Sequence, residues 1–282
     1  MNAPKVVIVR SNNGHRYANF IAKEINLAGH HCIITSIADI EKDLVKYHCS
    51  PEQTILHART AHPKIIYKKF NKLEKLGYRV INNSESLRLT SDKYASCVHA
   101  KAQNIPCAET VIVKKQDAEK IIQKKIGLWK DVIVKPQMSQ GNGTFCFKFN
   151  SGNFSLDEIK KVPTDNLIVQ KYINYQRLNR VLVINKKALK KAVFWDEPDD
   201  WKCSVCLNSK IKLYSYPDKK LLRLAEDISR KFNSEISFID IFTTDSGYVL
   251  SEINSACSLI IHERLSGYNI SKDIASYLVA QM

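Results

Sequence analysis

The sequence predicts an α/β (α+β) fold on two observations. Its first third alternates short β-rich runs with helical stretches, the order of a parallel α/β unit, and its later parts carry strand pairs around tight polar turns. Lys5–Arg10 (KVVIVR) is the first strand. A helical pattern from Tyr17 to Ala28 follows and Gly29 closes it, and His31–Thr35 is the second strand. Gln53–Ala58 reads as a third strand ending at Arg59, residues 65–76 as a helix stopped by Gly77, and Tyr78–Ile81 as a fourth strand. Ligands of such sheets sit just past the strand ends, so Arg59 is a candidate anion contact, with a plain surface arginine as the alternative.

Residues 84–104 read as helix until Ile105-Pro106 breaks the pattern, with Ser91 before Asp92 and Lys93 as a possible start. Glu109–Val113 is a strand, Asp117–Ile126 a helix, and Val132–Val134 a strand running into the loop Lys135–Thr144. Phe145–Phe149 continues as a strand, so the Gly/Ser-rich loop is either a flap whose N–H groups cradle phosphate or an ordinary glycine turn. Neither G-x-x-x-x-G-K-[ST] nor G-x-G-x-x-G occurs in the chain. Asn166–Ile173 is a strongly apolar strand, Arg180–Ile184 and Leu189–Trp195 form a hairpin around Asn185-Lys186-Lys187, and residues 218–232 form an amphipathic helix. A last helix covers Ile270–Ala280.

Residues 236–254 (ISFIDIFTTDSGYVLSEIN) are the most informative stretch. Period-two alternation on both sides of Thr-Asp-Ser-Gly predicts a hairpin. A register that puts Asp240 and Leu250 on one face also brings Glu252 and Asn254 there. Two carboxylates and an amide oxygen among apolar neighbours suit a hard cation such as Mg²⁺; the alternative is a half-exposed hairpin with both acids in water.

Bulk composition narrows the class. The 282 residues suffice for one large domain or two to three small ones, and 44% apolar and 25% charged residues are ordinary for a soluble globular chain. No apolar run reaches the ~18 residues of a membrane helix, and no signal-peptide core follows Met1, so a cytoplasmic protein without membrane contact is expected. The eight cysteines include one C-x-x-C, Cys203 and Cys206, without the second ligand pair a structural zinc needs. The net charge of +15 suits an anionic partner or a merely solvated lysine surface. Nucleic acid finds no support, because no zinc-finger spacing or aromatic RNA-binding motif accompanies the charge.

Together these pieces resemble the ATP-grasp superfamily, and within it the ribosomal-protein glutamate ligase (RimK-like) branch. The resemblance is carried by Asn82, Asp92-Lys93, Ile105-Pro106, Lys135-Pro136 with Ser139–Thr144, Val169–Ile173, Arg180, Asp240 and Glu252-Ile253-Asn254, in that order along nearly the whole chain. It implies three α/β parts: an N-terminal domain over residues 1–88, a central lid over 89–168 and a C-terminal part with the metal site over 169–282.

ATP would be clamped between the central and C-terminal sheets, with Lys93 and Lys135 on its phosphates and the loop carrying Ser139, Gln140, Gly141 and Gly143 closing over them. Gln170, Lys171, Tyr172 and Ile173 would run beside adenine. Asp240, Glu252 and Asn254 would hold Mg²⁺ or Mn²⁺, and Arg180 would steady the transferring γ-phosphate. Lys171 stands where the family usually has an acid, and Ser255-Ala256-Cys257-Ser258 replace its usual Pro-Gly turn.

The implied activity is ATP-dependent carboxylate–amine ligation through an acyl phosphate, which needs charge neutralisation and positioning rather than a protein nucleophile. Arg59 and Lys202 are candidates for holding a substrate carboxylate, on a small acid or an acidic peptide or protein tail. A kinase acting on a polyanion such as an inositol phosphate, and a nucleotide-binding protein without turnover, are the competing readings; a homo-oligomer is allowed.

Overall fold

The structure, a computed structural model, describes residues 5–10, 15–59, 63–138, 145–203 and 211–282. Its N-terminal sheet has β1 (Lys5–Arg10), β2 (His31–Ser36), β3 (Thr54–Arg59) and β4 (Arg79–Ile81) in the parallel order β2-β1-β3-β4. The connecting helices are α1 (His15–Leu27), α2 (Ile40–Lys46) and α3 (Pro63–Lys75). Strands of such a sheet are buried on both faces: β1 is an apolar run from Val6 to Val9, and β3 is buried along its whole length, Thr54, His57 and Arg59 included. Val7, Val9, Leu56 and Ala58 pack in one core with Phe70 and Leu73 of α3, whereas Val6, Ile8 and Ile55 join the core shared with the C-terminal sheet. Gly77 ends α3 at φ +94°, a conformation that favours glycine, and a Cβ there would press on Pro51 at 3.3 Å.

The single helix expected over 84–104 is two, α4 (Ser84–Ser91) and α5 (Lys93–Ala102). Asp92 separates them with extended backbone, and its side chain caps α5 by accepting from the N–H groups of Tyr94 (2.9 Å) and Ala95 (3.0 Å). A mid-pattern aspartate competes with the helix it interrupts, so amphipathic periodicity alone runs straight over the break.

The central sheet contains β5 (Thr110–Lys114), β6 (Val132–Pro136), β7 (Phe147–Phe149) and β8 (Asn166–Lys171) in the antiparallel order β5-β8-β6-β7. Helices α6 (Ala118–Trp129) and α7 (Leu156–Lys160) pack on one face through Ile122, Ile126 and Ile159. The strand expected over 145–149 begins only at Phe147, and Ser139, Gln140, Gly141 and Gly143 lie outside the described residues.

The C-terminal sheet joins β9 (Arg177–Ile184), β10 (Lys187–Asp196), β11 (Lys212–Leu213), β12 (Ile236–Thr244) and β13 (Gly247–Asn254) in the order β11-β10-β9-β12-β13. The β9–β10 hairpin turns on Asn185 and Lys186 alone, both left-handed (φ 50° and 60°), the pattern of a two-residue turn matched to strand twist. Helix α8 (Lys219–Lys231) buries Leu221, Leu222, Ala225 and Ile228 against one face, together with Val181, Ile239 and Ile241. The other face carries Leu182, Phe194 and Phe238 and meets the N-terminal sheet, α9 (Ile260–Ser266) and α10 (Ile270–Val279).

The Asn82 side chain fixes how the two outer sheets meet. Its Oδ1 accepts from the N–H groups of Glu235 and Ile236, both at 2.8 Å, and its Nδ2 donates to the Ile236 carbonyl at 2.7 Å. A buried amide thus pairs the first backbone groups of β12 from the end of β4, where no strand could. Helices α2, α7 and α9 were not anticipated: they span five to seven residues, too short for a helical period to register.

Candidate functional site

Asp240 lies directly opposite Arg180 of β9 and directly opposite Glu252 of β13, so the three side chains form one row across three strands. The Arg180 guanidinium grips the Asp240 carboxylate with Nε to Oδ1 and Nη2 to Oδ2, both at 2.7 Å. Both side chains are almost wholly buried, at 5% and 7% exposure. Phe194 extends the row on β10, and the neighbouring row holds Leu182, Phe238 and Asn254. This apolar surround pushes the Asp240 carboxyl above its usual range, against the pull of Arg180. The alternative of a hairpin with both acids in water therefore fails for Asp240.

The expected grouping of Asp240 with Leu250 is corrected by the register. Asp240 pairs Glu252 but Ile241 pairs Leu250, so Ser251 is an extra residue, a β-bulge. The bulge flips the phase of β13: Glu252 and Asn254 face the charged row, while Leu250 turns to the opposite face with Ile239 and Ile241. Asn254 closes the group by donating from Nδ2 to Asp240 Oδ2 at 3.3 Å.

The central part supplies the cations. Lys93, the first residue of α5, places Nζ 3.3 Å from Glu252 Oε1. Burial works to raise the Glu252 carboxyl, but the ammonium groups of Lys93 and Lys135 outweigh it and hold the carboxyl below its usual range. Asp92 aims this helix start: beyond capping α5 it accepts from Gln137 Nε2 at 2.7 Å, and the Lys93 N–H donates to the Gln137 carbonyl at 2.9 Å. Gln137 in turn accepts from Asn166 Nδ2 at 3.0 Å. The start of α5 is thereby tied to the end of β6, two residues past Lys135, and no sequence signal marks Gln137 for that task.

Lys93, Lys135, Gln170, Leu250 and Glu252 line one pocket between the central and C-terminal sheets. Gln170 Nε2 donates to Thr110 Oγ1 at 2.9 Å. Lys171 alternates away from Gln170 and pairs with Glu109 at 3.6 Å instead. The Tyr172 ring lies under Lys148 Nζ at 4.0 Å and its N–H donates to the Asp131 carbonyl; Ile173 follows, half-buried.

Arg59 is buried at the end of β3, and its Nη2 donates to the Cys257 carbonyl at 2.5 Å, three residues past Asn254. That links the N-terminal sheet to the loop leaving the charged row. Lys202 is exposed, its neighbours held by the Tyr175 hydroxyl, which donates to the Trp201 carbonyl and accepts from the Cys203 N–H. Burial pushes up the Cys146 thiol while Lys135, Lys202 and Lys93 pull it down, so these three cations converge on one region.

His262, which the sequence did not single out, roofs the row from α9. Its ring meets Phe194 edge-on with centroids 4.8 Å apart, and its Nδ1 donates to the Ser258 carbonyl at 2.7 Å. Burial and the nearby Arg180 charge lower its pKa to about 4, so it is neutral at pH 7. No group of three His, Cys, Asp or Glu side chains gathers anywhere among the described residues, and Cys206 of the C-x-x-C lies outside them.

Comparison with known proteins decides the family. The model of the RimK-like ATP-grasp domain matches residues 90–278, more than half of the chain. The chain belongs to the RimK-like ATP-grasp family. It is 25% identical over 278 residues to the coenzyme gamma-F420-2:alpha-L-glutamate ligase of Methanocaldococcus jannaschii, covering 92% of each chain. It is also 25% identical over 211 residues to the alpha-aminoadipate–LysW ligase LysX of Saccharolobus solfataricus, covering 71% of this chain and 74% of that one. Among solved structures, the ATP-grasp ligase PsnB in complex with a variant of its minimal precursor, Mg and ADP superposes with a TM-score of 0.72 at 12% identity, over 99% of both chains. The RimK-like ATP-grasp protein is accordingly an ATP-dependent ligase that forms carbon–nitrogen bonds. The kinase alternative gains no support from these relatives. No helix among the described residues is long and apolar enough to cross a membrane.

Proposed function

We propose that this ligase phosphorylates a substrate carboxylate with ATP and passes the resulting acyl phosphate to an amine, releasing ADP and phosphate. The observation that carries this reading is the row Arg180–Asp240–Glu252, buried at Arg180 and Asp240, half-open at Glu252, capped by Lys93 and facing Lys135. Lys93 and Lys135 take the ATP phosphates and spread their charge during transfer, which such chemistry requires in place of a protein nucleophile. Gln170 to Ile173 edge the adenine, with Lys171 contributing backbone rather than side chain, since its ammonium pairs outward with Glu109.

The donor set of Asp240, Glu252 and the Asn254 amide oxygen fits a hard divalent cation, Mg²⁺ or Mn²⁺. When bound, that cation offsets phosphate charge as a Lewis acid. Arg180 has two roles: in the protein alone it neutralises Asp240, and its fork is equally matched to a phosphoryl group. His262, neutral beside it, adds no competing charge.

The relatives named as glutamate and aminoadipate ligases support amino-acid substrates, and the complex of PsnB with its precursor peptide is the ground for including a peptide substrate in the proposal. Arg59, at the Cys257 carbonyl, is proposed to hold the carboxylate of the bound acid, and Lys202, whose charge acts on Cys146 together with those of Lys135 and Lys93, to attract an acidic acceptor. ADP release measured against a panel of amino acids and acidic peptides, with products read by mass spectrometry, is the test. Release that requires both an acid and an amine, with an amide product, is expected. ADP release with a phosphorylated product and no amine would replace ligation by a kinase reaction.

A further inference from the structure

Two cysteines share the pocket that holds Lys93, Lys135 and Glu252. Cys97 and Cys107 both line it, and no disulfide joins any of the seven described cysteines. We propose that Cys97 and Cys107 are a site of oxidative modification, closed by peroxide into a disulfide that shuts the nucleotide pocket. This rests on the nucleotide reading above.

The placement carries the argument. The Cys107 thiol donates to the Cys97 carbonyl with Sγ 3.7 Å from the oxygen. A carbonyl oxygen lies about 2.4 Å from its own Cα by standard geometry, so the Cys107 sulfur sits no more than about 6 Å from the Cys97 Cα, and rotation about the Cys97 side chain can bring the two sulfurs together. Cys97 is one helical turn past Lys93 on α5, half-buried, and its sulfur accepts from Gln170 Nε2 at 3.5 Å. That donor and the pocket opening make Cys97 the sulfur that peroxide reaches first. Cys107 has the opposite character: burial, reinforced by the Cys97 thiol, pushes it up to about 11, so it waits protonated as the resolving partner.

The chemistry balances in two steps. The Cys97 thiol gives its proton to solvent and the thiolate attacks one peroxide oxygen; the O–O bond breaks, the sulfenic acid forms, and the departing hydroxide takes a proton back from solvent as one water. The Cys107 sulfur then attacks the sulfenic sulfur, the S–O bond breaks, the Cys107 proton leaves with the hydroxide as a second water, and the S–S bond forms. Two thiols are oxidised by two electrons and one peroxide is reduced to two waters.

The two sulfurs belong to the segments that reach the two partners of the Lys93–Glu252 ion pair. Cys97 lies on the helix that begins with Lys93. Cys107 follows Pro106, whose carbonyl accepts from the Leu250 N–H at 2.8 Å, two residues before Glu252 on β13. A bond between them clips the Lys93 helix to the Glu252 strand, withdraws the sulfur from Gln170 and places a disulfide across the pocket wall.

The test uses the full chain, first reduced, then treated with hydrogen peroxide, then returned to dithiothreitol. Peptides are mapped without reduction, and affinity for the non-hydrolysable analogue AMPPNP with Mg²⁺ is measured by calorimetry at each stage. A linked peptide pair containing Cys97 and Cys107 is expected, together with affinity weakened on the order of tenfold, the loss of about one charge-assisted contact. Dithiothreitol restores it, and bound AMPPNP slows the linkage. Cys107→Ser and, separately, Cys97→Ser abolish the linked peptide, and each keeps the affinity of its own reduced form after brief peroxide. A disulfide mapped elsewhere, thiols that stop at sulfinic acid, or a linked protein that binds AMPPNP as tightly as the reduced one overturns the proposal. Reduced protein that does not bind AMPPNP at all refutes the nucleotide reading instead, because the peptide map reads the linkage without it.

Discussion

Asp240→Asn and Glu252→Gln remove one charge each from neighbouring positions of the same row, and the structure separates their effects on stability. Asp240 and Arg180 are 7% and 5% exposed and joined by two 2.7 Å hydrogen bonds. An asparagine keeps the shape but turns an N–H₂ toward one of the two guanidinium donors and leaves the Arg180 charge uncompensated in an apolar surround. Breaking a buried pair in this way costs about 3–5 kcal/mol. Glu252 is 30% exposed and its partner Lys93 17%, at 3.3 Å. Water and the nearby Lys135 share the work there, so Glu252→Gln costs about 0–1 kcal/mol. The assay is urea unfolding followed by tryptophan fluorescence, since Trp195 sits on β10 beside Phe194, which pairs Arg180. A large drop in midpoint for Asp240→Asn and almost none for Glu252→Gln is expected, while ADP release collapses in both. Equal midpoints for the two variants would refute the assignment of Arg180 as a guanidinium that needs Asp240. Near-normal ADP release from both would remove the row from catalysis.

Three further outcomes follow from the same geometry. Lys135→Ala weakens AMPPNP binding by roughly tenfold or more, the worth of one charge-assisted contact, in calorimetric titration. His57, whose Nδ1 donates to the Ile81 carbonyl, and His262 are held neutral by burial, with pKa values lowered to about 3 and about 4. The unfolded chain takes up their protons near pH 6.5 and the folded chain does not, so their stabilising contribution is full above that pH and falls as the pH drops toward 4. Each contributes a slope of about 1.4 kcal/mol per pH unit, and His262→Phe flattens the acid limb of the urea midpoint by one proton. Asn82→Ala strips the first backbone groups of β12 of three hydrogen bonds and lowers stability by about 2–4 kcal/mol, read as a shifted midpoint with ATP affinity measured alongside.

What the sequence by itself determined is whatever depends on short-range pattern. The parallel N-terminal unit, the β9–β10 and β12–β13 hairpins and α8 are legible because period-two and period-3.6 burial is written locally. Asp240, Glu252 and Asn254 could be grouped because they fall on two strands of one hairpin. The tertiary structure alone decided the rest. A single extra residue, Ser251, reversed the face of Leu250, since phase in a strand flips with every inserted residue. Asp92 split one predicted helix into two and aimed Lys93 at Glu252, through a partner, Gln137, 45 residues away. The pairing of Arg59 with Cys257 spans 198 residues, and that of Asn82 with β12 spans 154. Contacts of that separation leave no periodic trace, because they are set by how sheets dock and not by the order of neighbouring side chains.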